Sequence, residues 1–343
     1  MLQNIKISLS PHISKHYSTG LIMLNVLIGL LPAFIAAVWY FRAKAVMLTV
    51  VCVVVCCLTE WLCNLARGKP NSLGDFSAAI TGVILAFSIP PALPWWVAVI
   101  GSVFAIAVGK MVFGGLGANV FNPAMIGRAF LTASFGMMMT TWTVPATIDK
   151  SMPEISVKNT SAITQATPLA WSKQAIKSKK IEDVSKKIDA SIANNMLKDL
   201  FFGQRGGCLG ETSSLALIIG GIYLLLTGTI TIHIPLAVLL SAFTASSIGY
   251  FIDSTVYASP VFHLMSGGML IGAFFIATDP VTSPLTKKGM WIFGIGVGGL
   301  TMLIRMVGEY PEGMMFSILL MNSITPLIDK FCKIIPAGGE PNV

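Results

Sequence analysis

Residues 21–41 read LIMLNVLIGLLPAFIAAVWYF, an apolar run without one charged side chain. At about 1.5 Å of rise per residue, a helix of this length covers roughly 30 Å, the thickness of a bilayer's hydrocarbon core. Hydrocarbon offers the backbone no hydrogen bonds, so a span of this kind must be a helix that satisfies itself. Residues 1–20 are mostly polar and no small-residue cleavage site interrupts the run. They read as a short amphipathic arm before a first transmembrane helix, not as a cleaved leader.

The same pattern repeats outward from this stretch. Hydropathy predicts ten spans, at about 21–41, 45–65, 76–91, 94–113, 123–142, 213–229, 231–250, 261–277, 290–307 and 314–331. Pro and Gly cluster at the joints, as at Pro90-Pro91, Gly114-Gly115, Pro123, Pro260, Pro280 and Pro311. Charged residues make up 11% of the chain, where a soluble domain is usually about a quarter charged. The expected fold class is therefore an all-α polytopic membrane protein of about ten helices. It divides into an N-terminal membrane half at 1–142, one long loop at 143–212 and a C-terminal membrane half at 213–343.

The formal charge of +8 does not imply nucleic acid, because ten of the 23 basic residues lie in 149–205 among six acids and most others flank the spans. With the N-terminus in the cytoplasm, nine Lys and Arg of the short connections fall inside and only Arg42 and Lys44 outside. That positive-inside bias puts both termini in the cytoplasm of a prokaryotic cell and the long loop on the extracytoplasmic side. Membrane lipid is then an obligate partner. Within the loop, Ile176, Ile181, Val184, Ile188 and Ile192 recur at helical spacing, so Lys173–Leu200 reads as an amphipathic helix. Four of six cysteines sit in the second apolar run, where free Cys behaves as a small hydrophobe and no metal set surrounds them.

An internal echo links Leu73-Gly74-Asp75-Phe76-Ser77 to Leu209-Gly210-Glu211-Thr212-Ser213. The two copies start on opposite sides of the membrane, as in an inverted repeat, although their offset of three spans does not match a five-plus-five duplication.

Several residues carry chemistry beyond packing. Arg128 lies inside a span, where a cation costs at least roughly 2.5–3.5 kcal/mol and needs a partner or a job. The plain alternative is snorkelling or a helix-end carbonyl. Arg305 is similar, with Glu309 one turn on as a candidate partner. Asn122-Pro123 and Asp279-Pro280 sit at breaks between apolar segments, where freed carbonyls can line a cavity or simply end a helix. Glu211, Thr212 and Ser213 open a span and read either as a cap or as part of a site. His233 and His263 lie near span ends, where interfacial satisfaction explains them. Gly294, Gly296, Gly298 and Gly299 permit close helix packing and are no dinucleotide fingerprint.

The segment Thr164-Gln165-Ala166-Thr167-Pro168-Leu169 is by itself a hydroxyl-bearing turn. Its neighbours give it a context: Ser10-Pro11-His12, Gly114-Gly115-Leu116-Gly117-Ala118-Asn119, Phe121-Asn122-Pro123-Ala124, Gly127-Arg128-Ala129-Phe130, Gly210-Glu211-Thr212-Ser213, Ala277-Thr278-Asp279-Pro280-Val281-Thr282 and Tyr310-Pro311-Glu312-Gly313. In this order they resemble the D subunit of the Rnf complex and its relative, the B subunit of the sodium-translocating NADH:quinone oxidoreductase, over nearly the whole chain. The resemblance implies FMN esterified through its phosphate to Thr167 by a flavin transferase, with Thr164, Ala166, Pro168 and Leu169 framing the acceptor. Gln165 stands where the family usually has Gly, and Ser161 where an Asp often precedes the motif. It further implies a ferredoxin:NAD oxidoreductase complex that moves sodium or protons. Its partners there would be the A and E membrane subunits, the flavin-bearing G subunit and the peripheral B and C subunits. A second, non-covalent flavin (riboflavin or FMN) between the helices is in keeping with the family. Arg128, Asn122, Glu211, Thr212, Ser213 and Asp279 are its candidate cofactor contacts. The quinone-reductase subunit, a solute transporter or channel, and a scaffold without flavin stay open as other readings.

Overall fold

The computed structural model describes residues 18–142, 169, 172, 197–203, 206–254, 257–308 and 310–333. The N-terminal arm, Thr164, Ala166, Thr167, Pro168, Glu309 and most of the amphipathic loop helix lie outside the described residues. The described residues are helical, with no strand among them.

Helix α1, Thr19–Phe41, starts where the Ser18 hydroxyl accepts the Leu21 N–H. Helix α2, Ala43–Ala66, follows after one residue, Arg42, whose φ of 54° turns the chain back. Then come α3, Ser77–Phe87, and α4, Trp95–Ile106, which runs on through a π turn at Ala107–Met111. Helix α5, Pro123–Ser134, has Asn122 as its cap and proline in its first turn, where the missing N–H costs nothing. The second half holds α6, Ser214–Leu226, α7, His233–Ile252, and α8, Pro260–Met265. After a break, α8 resumes at Met269–Ile271 and a π turn, Gly272–Ile276. Helices α9, Lys287–Met306, and α10, Met314–Phe331, complete it.

Every predicted span falls on helix, but not every one is a full crossing. By length and composition α1, α2, α7 and α9 are long and apolar enough to cross a membrane, while α3, α4 with its π turn, and α6 are shorter apolar helices. The span expected at 261–277 is broken at Ser266–Gly268, and the one expected at 123–142 is interrupted at Phe135. Hydropathy sums over such breaks because the residues on both sides are apolar.

The two halves repeat one packing plan. In each, the second helix packs on the third and fourth and the fourth on the fifth; the halves meet through α1 against α6 and α5 against α10. The repeat thus has an offset of five elements. The echoed segments are not its equivalent parts. They are two copies of one local device, a 3-10 turn (Leu73–Asp75, Leu209–Glu211) leading into a helix.

Large apolar side chains stay exposed on the outer faces, among them Ile35, Leu65, Ile248, Phe251 and Leu303. In water such a surface would aggregate, whereas lipid solvates it. The glycines of α9 do allow close approach. A Cβ on Gly294 would sit 2.6 Å from the Ala237 Cβ and one on Gly298 2.4 Å from the Val238 carbonyl oxygen, both on α7, while Gly299 faces open space.

Candidate functional site

The residues singled out from sequence fall into two groups at opposite ends of α3. One end is marked by the attachment of the 143–212 loop. There α5 projects Arg128 inward, 8% exposed, toward two carboxylates. Its Nη2 lies 3.4 Å from Glu312 Oε2 and 3.8 Å from Glu211 Oε1. Arg128 therefore neither snorkels nor caps a helix end.

Arg305 completes the group. Its Nη2 lies 3.6 Å from Glu312 Oε1, and its two Nη atoms donate to the carbonyls of His263 at 2.6 Å and Ser266 at 3.0 Å. Among the described residues its ion-pair partner is Glu312; the Glu309 expected from sequence lies outside them. The carbonyls it holds are those freed by the break in α8. Gly267 turns the chain there with φ +61°, and the Gly268 N–H donates to Glu312 Oε1 at 2.7 Å. A side chain on Gly267 would meet Leu169 Cδ1 at 2.5 Å and Glu312 Oε1 at 2.8 Å, so only glycine fits this approach.

Glu211 belongs to the ion cluster rather than to a helix cap. The cap of α6 is Ser213, whose hydroxyl accepts the Ala216 N–H at 3.3 Å, while Thr212 donates to the Leu209 carbonyl. Burial and the facing Glu312 push the Glu211 carboxyl up to about 8, against the pull of Arg128. Burial alone would also raise Glu312, but Arg128 and Arg305 hold it below the usual carboxylate range. The buried Cys208 thiol donates to the Ser88 carbonyl and lies 3.7 Å from Arg128. Of these groups Glu211, Thr212, Gly267 and Glu312 line a cavity with Trp142, Leu169, Leu200 and Gly207, and the two arginines stand behind its carboxyls. Leu169, 5% exposed, packs with Leu200 and Phe262.

Asn122 and Asp279 are not part of that group. They line a second cavity at the other end of α3, together with Ser77, Lys110, Asn119 and Thr278. Asn122 Oδ1 caps α5 through the Met125 N–H. Asp279 accepts from the Val281 N–H and the Thr282 hydroxyl, and burial pushes its carboxyl upward. Asn119 Oδ1 is buried without a hydrogen-bond partner among the described residues. Beneath this cavity Lys110 Nζ bridges Glu60 Oε2 at 2.7 Å and the Ser77 hydroxyl at 2.5 Å, and Ser72 donates to the other Glu60 oxygen.

Sequence reasoning missed Glu60 and Lys110 as a pair and did not single out Glu312. A signal existed for the first two, since Glu60 is an acid within the second apolar run and Lys110 a base within the fourth. Interfacial satisfaction does not describe His263, which is 2% exposed with neither ring nitrogen hydrogen-bonded among the described residues, while His233 is half-buried.

Residues 6–338 match the family described as NQR2, RnfD, RnfE. The chain is 44% identical over 334 residues to the D subunit of the Na+-translocating ferredoxin:NAD+ oxidoreductase complex of Acetobacterium woodii, covering 96% of this chain and 94% of that one. It is 40% identical over 339 residues to the proton-translocating counterpart of Clostridium ljungdahlii, covering 97% and 96%. To the D subunit of the ion-translocating oxidoreductase complex of Stutzerimonas stutzeri it is 38% identical over 327 residues, covering 92% and 91%.

Proposed function

The chain belongs to the NQR2, RnfD, RnfE family, and from that premise we propose that it is the D-type membrane subunit of an ion-translocating ferredoxin:NAD oxidoreductase, bearing FMN on Thr167 as an electron relay. The observation that carries the reading is the seat of Leu169 in the wall of the loop-end cavity. Leu169 is two residues along the chain from the proposed acceptor, and two residues reach at most about 7 Å, which supports this reading.

The residues present fit such a group. Trp142 offers an aromatic face, Gly207 adds no side chain beside it, and Arg128 sets a cation behind the carboxyls. When bound, the flavin supplies one- and two-electron redox chemistry that no side chain here can. The protein's part is to hold the ring away from water and to set the charge around it. Trp142, Leu169 and Leu200 would do the first, and the two arginines with Glu211 and Glu312 would do the second. At the opposite end, the unpartnered Asn119 oxygen with Asn122, Lys110 and Asp279 suits the polar edge of the non-covalent flavin, riboflavin or FMN.

In this reading the chain sits in a prokaryotic cell membrane with both termini in the cytoplasm and residues 143–212 outside. The A, E, G, B and C subunits of the complex are its partners, and a flavin transferase matures it. The test is in-gel flavin fluorescence and peptide mass on the purified complex, beside a Thr167→Ala variant. An FMN-sized adduct on the Thr167 peptide, absent from the variant, supports the relay. An unmodified peptide from a host with the transferase sinks it and favours a transporter or a flavin-free scaffold.

A further inference from the structure

We propose that Glu211 and Glu312 share a single proton at the loop-end cavity, leaving its two arginines and two carboxyls with one net positive charge that stabilises negative charge entering the cavity. The redox consequence rests on the reading of that cavity as the seat of the Thr167-borne flavin; the shared proton itself does not.

The geometry carries the inference. The two carboxyls reach the same backbone atom group from different elements. A Cβ built on Gly268 would lie 3.2 Å from Glu312 Oε1 and 3.3 Å from Glu211 Oε1. One guanidinium, Arg128, stands against both, yet at 3.8 Å from Glu211 it is beyond hydrogen-bond distance. Glu211 Oε1 is buried without a hydrogen-bond donor among the described residues. Glu312, in contrast, takes the Gly268 N–H and faces both arginines. Two carboxylates this close cannot both ionise in a buried site, and the one with fewer donors keeps the proton and gives its hydrogen bond to the other. That residue is Glu211, and its raised carboxyl agrees.

Among the described residues, the charged or titratable groups packed on the pair are these. Arg128 comes from α5, Arg305 from α9, Cys208 from the turn that holds Glu211, and His263, whose carbonyl Arg305 grips, from α8. With Glu211 neutral, the two arginines face the single carboxylate of Glu312 among the described residues. An electron delivered to the cavity from the ferredoxin-linked donor, itself oxidised in exchange, then meets a favourable field. At higher pH the resting pair loses its proton to water on the loop side. Reduction there draws one proton back: a water-derived proton forms the O–H bond of Glu211, and leaves again when the electron departs. Arg128 and Arg305 act as positioning residues for this exchange.

The experiment uses the intact complex, with the state of Thr167 fixed first by mass. Spectroelectrochemical titration of the bound flavin is run from about pH 6 to 10 on wild type and Glu211→Gln, with infrared spectra of the oxidised protein over the same range. The expected result is one carboxylic-acid carbonyl band that titrates near pH 8 in wild type and is missing in Glu211→Gln. The wild-type flavin potential should fall away from that of Glu211→Gln as pH passes the same point, with the two equal at pH 6. Thr167→Ala should keep the band and lose the flavin. Absence of a titrating acid overturns the proposal, and so do parallel potential curves. An unmodified Thr167 in wild type would instead remove the flavin reading while the infrared titration still decides the shared proton. If Glu211→Gln does not assemble, Glu211→Asp serves, with the band expected to shift rather than vanish.

Discussion

Phe76 and Gly267 hold the same left-handed backbone, with φ of 60° and 61°, each at the foot of the short helix in its own half of the chain. At one, the chain leaves a 3-10 turn to start α3; at the other, it re-enters helix after the break in α8. A cation from the fourth helix of the same half guards each foot. Lys110 donates to Ser77 beside Phe76, and Arg305 donates to Ser266 beside Gly267. The two polar cavities sit at these two feet, which is why they lie at opposite ends of α3.

The two feet should respond differently to substitution. Gly267→Ala adds left-handed strain of roughly 1–2 kcal/mol and forces a methyl against Leu169 and Glu312. It should lower the melting temperature of the complex and displace whatever the loop-end cavity holds. Phe76→Gly removes the same strain, and its half-exposed ring loses little packing, so stability should stay level or rise. A Gly267→Ala protein that melts like wild type would refute the packing described for this turn.

Lys110 and Glu60 are both about 1% exposed and pair at 2.7 Å. Removing one partner leaves a buried charge, so Lys110→Met should cost about 3–5 kcal/mol. Lys110→Met with Glu60→Gln should recover much of that loss. A double-mutant cycle by thermal melting checks it, and strictly additive losses would show that the pair is not coupled.

Glu211 gives stability a definite pH slope. Its carboxyl is raised in the fold to about 8 from an unfolded value of 4.5, so the folded state binds the proton more tightly. The favourable contribution is present at low pH and is lost as pH rises through that window. Wild type should therefore lose stability from about pH 5 to 8 more steeply than Glu211→Gln. Melting curves across that range decide it, and equal slopes would mean Glu211 is ionised in the fold.

Ser213, not Glu211, caps α6. Ser213→Ala should cost about 1 kcal/mol with no effect on the pH slope, whereas Glu211→Gln should change the slope and spare the cap. Circular-dichroism melting of both variants at two pH values separates the roles.

Much of this protein was legible in the chain alone, for a physical reason. Composition and apolar run length depend only on local residues and on the thickness of the bilayer, so the all-helical membrane fold and the positions of its helices follow from residues such as those of 21–41. Helix-end chemistry is also local: the chain break at Asn122-Pro123 and a cap within Glu211–Ser213 were legible, while which side chain caps each helix was not. What tertiary structure alone decided is which distant residues meet. Glu312, 184 positions from Arg128, neutralises it, and Glu60 finds Lys110 fifty positions away. Hydropathy could not see the break at Ser266–Gly268, because its flanks are as apolar as an unbroken helix and its carbonyls are satisfied by Arg305 from another element. Nor could it divide Asn122 and Asp279 from Arg128 and Glu211. That separation exists only because α3 stands between two cavities, and a charge buried in hydrocarbon takes its partner from whichever helix the fold brings beside it.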